Sequence, residues 1–189
     1  WNNPCLGINK TPMKKTLLLS AFLCLFTILS YAQDAESASI KWMSMEEMEK
    51  AHAKEPRKII IDVYTDWCGW CKRMDKTTFQ NPEITRYINE KYYAVKLNAE
   101  QKETIKFKDT EFKYVPNGRR GYHELAADLL KGKMSYPSIV YLDENLNMIQ
   151  PVPGYQDAIK MEQIIKFIGD DHYKTTNFET FQTDFKSAL

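Results

Sequence analysis

The sequence predicts an α/β fold with a central mixed β-sheet flanked by helices. Three observations predict it. Two near-continuous runs of β-branched and aromatic residues, Lys58 to Thr65 and Tyr92 to Leu97, have the character of strands buried on both faces. Helical patterns with one apolar face precede, separate and follow them. A later pair of strand patterns is joined by a tight turn.

A leader stands before the fold. Lys14 and Lys15 are followed by an apolar run from Leu17 to Leu29, and Ser30-Tyr31-Ala32 then offers small residues at the two positions a signal peptidase inspects. Residues 13–32 are therefore expected to be a signal peptide, cleaved after Ala32; the apolar run is shorter than the roughly 20 residues a membrane-spanning helix needs. Met13 reads as a natural start, so residues 1–12 are expected to be a non-native upstream extension. Residues 33–39 are small and polar, a short tether, and residues 40–189 form the domain. Loss of everything before Gln33 removes three of the 26 basic residues and none of the 25 acidic ones, which leaves a formal charge of −2. That balance supplies no electrostatic reason to bind nucleic acid or an anionic membrane.

Within the domain, Ile40 to Trp42 is expected to be a short edge strand. Ser44 and Glu47 form a capping box that starts a helix with Met45, Met48 and His52 on one face. After the Lys58–Thr65 strand comes a helix from about Cys68 to Thr78. Asn81 caps a further one, with Pro82 at its first position and Ile84, Tyr87 and Ile88 inward. A β–α–β unit of this length implies parallel pairing with the Tyr92–Leu97 strand. From Ala99 to Ser135 the patterns are weaker. A small hairpin is expected, with Ile105–Phe107 and Phe112–Tyr114 as its arms around Asp109-Thr110. Asn117-Gly118 and Gly121 mark a loop, and Tyr122 to Leu130 a helix stopped by Gly132. Pro137 to Asp143 and Asn147 to Val152 read as an antiparallel pair. A helix from Asp157 carries Met161, Ile164, Ile165 and Ile168 inward, and a last helix from Asn177 presents Phe178, Phe181 and Phe185.

Of the four cysteines, Cys5 lies upstream of Met13 and Cys24 inside the leader, so the domain holds only Cys68 and Cys71. One close pair is neither a disulfide framework nor a four-thiolate zinc site. His52, His123 and His172 are scattered singly, as surface or cap histidines, so no metal and no other cofactor is expected beyond the redox-active pair itself. Cys68-Gly69-Trp70-Cys71 follows a buried strand and opens a helix. Unpaired backbone N–H groups and the macrodipole at a helix start favour a sulfur anion and lower the pKa of the first cysteine. The spacing lets Cys71 attack a mixed disulfide on Cys68 from one turn deeper. Gly69 leaves room for another chain.

The run Asp62-Val63-Tyr64-Thr65-Asp66-Trp67-Cys68-Gly69-Trp70-Cys71-Lys72 resembles the active-site segment of thioredoxins, and the resemblance extends over roughly Ile40 to Phe167. It implies a thioredoxin fold with an insertion before the cis-proline strand and an extra C-terminal helix. It implies Cys68 as attacking thiol, Cys71 as resolving thiol and Asp62 as a buried carboxylate that exchanges protons with Cys71. Substrate would be bordered by Trp67, Gly69, Trp70 and Tyr136, with Pro137 at the family's cis-proline site packed against the cysteine pair. Thioredoxins have proline where this chain has Trp70, and another where it has Lys76. Asn81-Pro82-Glu83 after Thr78-Phe79 is closer to exported thioredoxin-like proteins of bacterial envelopes.

The expected function is thiol–disulfide exchange on exported proteins, periplasmic and in the reducing direction. Its expected partners are cysteine-containing clients and a membrane electron donor or acceptor, and the protein is expected to act as a monomer. Less eventful readings stand beside these. The cysteine pair is alternatively a static local disulfide or half of a metal site, Asp62 a polar residue at a strand's exposed edge, and Trp67 and Tyr136 ordinary core or rim aromatics. The eight basic residues from Lys102 to Lys133 could favour an acidic partner, but they are interspersed with acids and read instead as a solvated face. A competing function is a non-catalytic binding module that presents residues 99–135 to a partner; a third is keeping the cysteines of a metal- or haem-protein reduced during maturation.

Overall fold

The computed structural model describes Trp1 and residues 39–189; residues 2–38, on which the expected leader with its cleavage point, most of the expected upstream extension and tether, Cys5 and Cys24 fall, lie outside the described residues. The described domain opens with β1 (Trp42–Met43) and α1 (Met45–His52), followed by β2 (Lys58–Tyr64) and α2 (Gly69–Lys76). A 3-10 turn (Thr78–Gln80), α3 (Pro82–Lys91) and β3 (Tyr92–Asn98) complete the first half. The expected caps are in place. Ser44 Oγ accepts from the Glu47 amide while the Ser44 amide donates to Glu47 Oε2 at 2.8 Å, and Asn81 Oδ1 accepts from the Glu83 and Ile84 amides ahead of Pro82.

The second half contains β4 (Ile105–Phe107), β5 (Thr110–Phe112), β6 (Tyr114–Val115), β7 (Tyr122–His123) and α4 (Glu124–Leu129). It closes with β8 (Ser138–Leu142), β9 (Met148–Pro153), α5 (Ala158–Gly169), a second 3-10 turn (His172–Lys174) and α6 (Phe178–Asp184). Five strands make the main sheet in the order β1-β3-β2-β8-β9. β3 runs parallel to β1 and β2, while β8 is antiparallel to β2 and β9 to β8. The fold is therefore the expected mixed sheet, with β2 at its centre. Successive β2 side chains alternate between faces. Ile60 joins a core with Met74 of α2, Ile84 and Ile88 of α3 and Ile164, Ile165 and Ile168 of α5. Ile59, Ile61 and Val63 join Met45 and Met48 of α1 and Leu125 and Leu129 of α4 on the other face.

Several boundaries differ from expectation. The edge strand forms at Trp42–Met43, not Ile40–Trp42, because Ile40 is drawn into the core. Helix α2 stops at Lys76, and Thr78 belongs to the tighter turn after it. The first hairpin turns at Lys108 and Asp109, both at positive φ (50° and 60°), so β5 starts at Thr110 and pairs Thr110 with Phe107. Tyr114–Val115 then pairs with Tyr122–His123 in a second hairpin, which delays α4 to Glu124. His123 is fully buried, so among the two expectations for it the cap holds and the surface does not. Its Nδ1 accepts from the Leu125 amide at 3.3 Å and its Nε2 lies 3.0 Å from the Glu103 carbonyl oxygen, a pattern that a neutral ring protonated on Nε2 satisfies. Phe178 and Phe181 pack against Phe167, each with ring centroids 5.2 Å away, and dock α6 on the core; Phe185 lies just past its end.

The loop of the second hairpin closes on Gly121, where a Cβ would overlap the Val115 carbonyl oxygen and the Tyr114 ring. Backbone oxygen cannot yield as a flexible side chain can. Gly121→Ala is expected to destabilise the protein by about 1–3 kcal/mol, as overpacking does. Urea unfolding measures this, and an unchanged midpoint would contradict the close approach.

Candidate active site

Strand β2 delivers the chain to a turn in which the Cys68 amide donates to the Thr65 carbonyl at 3.1 Å. Cys68 is the N-cap of α2, with extended backbone, and its Sγ accepts from the Cys71 amide at 3.1 Å. Cys68 and Cys71 are joined in a disulfide, with Cα atoms 5.3 Å apart. Cys68 is 5% exposed and Cys71 2%, so Cys68 is the less covered residue. No acidic residue stands in the first turn of α2 to compete for its N–H groups. The peptide dipole that now meets a disulfide sulfur would meet a thiolate after reduction.

Asp62 is almost fully buried in β2. The parallel register sets it opposite Lys96 of β3, whose Nζ donates to Asp62 Oδ2 at 2.6 Å and also to Asp75 Oδ1 of α2. The ammonium sits among the Trp42, Tyr64 and Phe79 rings, 4.8, 5.1 and 5.5 Å from their centroids. Burial pushes the Asp62 carboxyl up to about 6, and the Lys96 charge offsets only part of that rise. Burial also pulls Lys96 down, but Asp62 and Asp75 together outweigh it and hold its ammonium above the ordinary lysine value. Asp62 Oδ1 is buried and has no hydrogen-bond partner among the described residues. Sequence reasoning finds Asp62 but misses Lys96, although a single lysine interrupting the apolar run of β3 is an available signal.

Trp67 and Trp70 lie on the surface beside the pair, 51% and 55% exposed. Trp67 donates from Nε1 to Glu100 Oε1 at 2.9 Å and meets Tyr136 edge to face at 6.0 Å. The Arg120 guanidinium lies 4.4 Å over its ring. Trp70 lies 5.4 Å from Tyr155, and Arg73 stands over both rings at 5.2 and 5.6 Å. Gly69 is exposed, and a Cβ there would meet nothing within 4 Å. The Tyr136–Pro137 bond is cis, and β8 begins immediately after it, with Ser138 opposite Val63. All eight sequence-predicted site residues thus fall on β2, its turn into α2, the first turn of that helix, or the entry to β8. Arg73, Arg120, Glu100 and Tyr155 are not singled out by sequence, since only the folded chain brings them to the tryptophans.

A depression of about 220 Å³ is lined by Gly69, Trp70 and Arg73. A larger cavity of about 360 Å³, beside α6, includes Phe181 and Phe185 and shares no residue with the cysteine turn. The smaller one is the relevant space, because it adjoins the reactive pair. Among the described residues no group of three or more His, Cys, Asp or Glu could hold a metal ion, and no helix is long and apolar enough to cross a membrane.

The family described as Thioredoxin-like domain matches residues 45–169. Over 88 residues the chain is 31% identical to the thiol:disulfide interchange protein DsbD of Pectobacterium atrosepticum, an overlap of 39% of this chain and 15% of that one. Over 60 residues it is 35% identical to spermatogenesis-associated protein 20 of Homo sapiens, covering 32% of this chain and 8% of that one. The chain spans only a small part of the length of these relatives. A thioredoxin-fold protein from Helicobacter pylori is similar in structure, with a TM-score of 0.52 at 20% identity over 76% of this chain and 82% of that one. The matched stretch includes the cysteine turn, four of the five strands of the main sheet and the cis-proline, and the chain belongs to the thioredoxin-like domain family.

Proposed function

We propose that this protein is a thiol–disulfide oxidoreductase that reduces disulfides of exported proteins. The observation that carries the reading is the Cys71 amide held on Cys68 Sγ at the start of α2. In the dithiol form a Cys68 thiolate attacks a client disulfide. A Cys68–client S–S bond forms, the client's own S–S bond breaks, and its second sulfur leaves as a thiolate that takes up a proton. Cys71 then loses its proton to the Asp62 carboxylate and attacks Cys68 Sγ. The Cys68–Cys71 disulfide closes and the client's remaining sulfur departs, so two electrons pass to the client. No cofactor beyond the cysteine pair is needed.

The similarity to DsbD, a thiol:disulfide interchange protein, supports this chemistry. Export and a periplasmic site of action rest on the leader pattern of residues 13–32. An exported reductase requires a dithiol electron donor reached through the membrane; we assign it that partner and a monomeric state. The reducing direction rests on Trp70, which brings no imidazole to stabilise the thiolate form.

The equilibrium potential of the pair against glutathione tests the direction. A value between about −270 and −180 mV is expected, whereas one near −120 mV would reverse it, every 30 mV being about 1.4 kcal/mol. A pair that fails to exchange with glutathione at all would overturn the enzymatic reading.

A further inference from the structure

We infer that the rim of the cysteine turn is a docking surface for an acidic client segment, so that disulfides whose cysteines are flanked by Asp or Glu are the preferred substrates. The inference rests on the oxidoreductase reading and deepens it. Residues 39–189 hold 23 of the 26 basic and 23 of the 25 acidic residues, the others lying before Ser39, so the domain as a whole is neutral. Its charge is not evenly spread around Cys68. Lys72, Arg73 and Lys76 are exposed on α2 and form no ion pair among the described residues. The one carboxylate of that helix, Asp75, is taken up by Lys96.

Arg120 adds a cation at Trp67. It lies in the second hairpin loop, inside a segment whose basic residues read in sequence as a solvated face, yet its guanidinium lies over the Trp67 ring. Apart from that contact its guanidinium makes no hydrogen bond or ion pair among the described residues. Glu100 accepts from Trp67 Nε1 and Asp66 from Asn98 Nδ2; both keep their charge, and Lys72, Arg73, Lys76 and Arg120 outnumber them. Trp67 precedes Cys68 by one residue and Trp70 follows it by two, so the tryptophans that carry Arg120 and Arg73 flank the attacking cysteine along the chain.

A cation–π contact leaves guanidinium N–H donors to meet a carboxylate. It also fixes a long side chain beforehand, which reduces the ordering cost of binding. The open space over Gly69 and the depression between Trp70 and Arg73 leave room for a client backbone. Two apolar planes edged by two fixed cations suit an extended acidic peptide better than a basic or purely apolar one.

The test uses the full domain, regenerated by dithiothreitol, on disulfide peptides of equal length whose cysteines are flanked by Glu, Gln or Lys. The Glu peptide is expected to exceed the Lys peptide in kcat/KM by about tenfold at low ionic strength, with the margin narrowing as salt rises. Arg120→Gln with Arg73→Gln should remove most of the margin, and Arg120→Glu should shift preference toward the Lys peptide, an inversion that loss of structure cannot produce. Reduction of all three peptides at equal rates would overturn the docking surface while leaving the oxidoreductase reading intact. Reduction of none would remove that reading and the inference with it.

Discussion

Cys71→Ser is expected to turn the protein into a trap, accumulating a covalent adduct with a disulfide client, whereas Cys68→Ser abolishes turnover and forms no adduct. The asymmetry follows from the turn. Cys68 is the cap residue and the less covered of the two, and Cys71 sits in the first helical turn with its amide already spent on Cys68. Without Cys71 the mixed disulfide waits for an external thiol, and the loss of an intramolecular attack costs roughly 10³-fold or more. Serine is itself a strong N-cap, so in Cys68→Ser the new hydroxyl should still accept the Cys71 amide and keep α2 in place. The missing activity is then chemical and not a matter of folding. Intact mass under non-reducing conditions reads the adduct directly. Parent-like turnover in Cys68→Ser, or no adduct with Cys71→Ser, would sink the assigned order of attack.

The parts of the site legible in sequence are those that local pattern determines. A buried strand of seven residues, a capped helix start and the Cys68–Cys71 spacing each follow from neighbours within a few positions, and Asp62 stands out because its flanks are apolar. Lys96 is invisible as a partner because only the parallel register puts residue 96 beside residue 62. The second hairpin escapes sequence reasoning for a different reason. Strands of two residues are too short to show a period, and what defines them is the pairing of Tyr114 with His123 and the close approach at Gly121. Arg120 and Glu100 reach Trp67 from that same 99–135 segment, so the wall of the site nearest Trp67 depends on the least periodic part of the chain. This also bears on the binding-module alternative. A segment that places two side chains on Trp67 belongs to the surroundings of the cysteine turn, which favours recognition coupled to exchange.

Asp62→Asn is expected to stabilise the protein at neutral pH while slowing it as a catalyst. In the folded state burial holds the Asp62 carboxyl up to about 6, against roughly 3.9 in an unfolded chain. Between those values the folded protein binds a proton that the unfolded chain has released, so stability falls as pH rises from about 4 to about 6. Above that window the whole penalty is present, on the order of 3 kcal/mol for a shift of about two units. Asparagine does not titrate, and its carbonyl oxygen can still accept from Lys96, which also keeps Asp75. The variant should therefore gain roughly 1–3 kcal/mol in urea unfolding at pH 8, lose that gain by pH 4, and show a flatter profile between. Its resolving step, deprived of a proton acceptor for Cys71, should slow by roughly 10²-fold near neutrality and lose any inflection near pH 6. The two readouts separate two roles. If Asp62→Asn is less stable at pH 8, the carboxylate serves chiefly as the counter-charge of Lys96; if resolution keeps its rate and pH profile, the proton of Cys71 goes elsewhere.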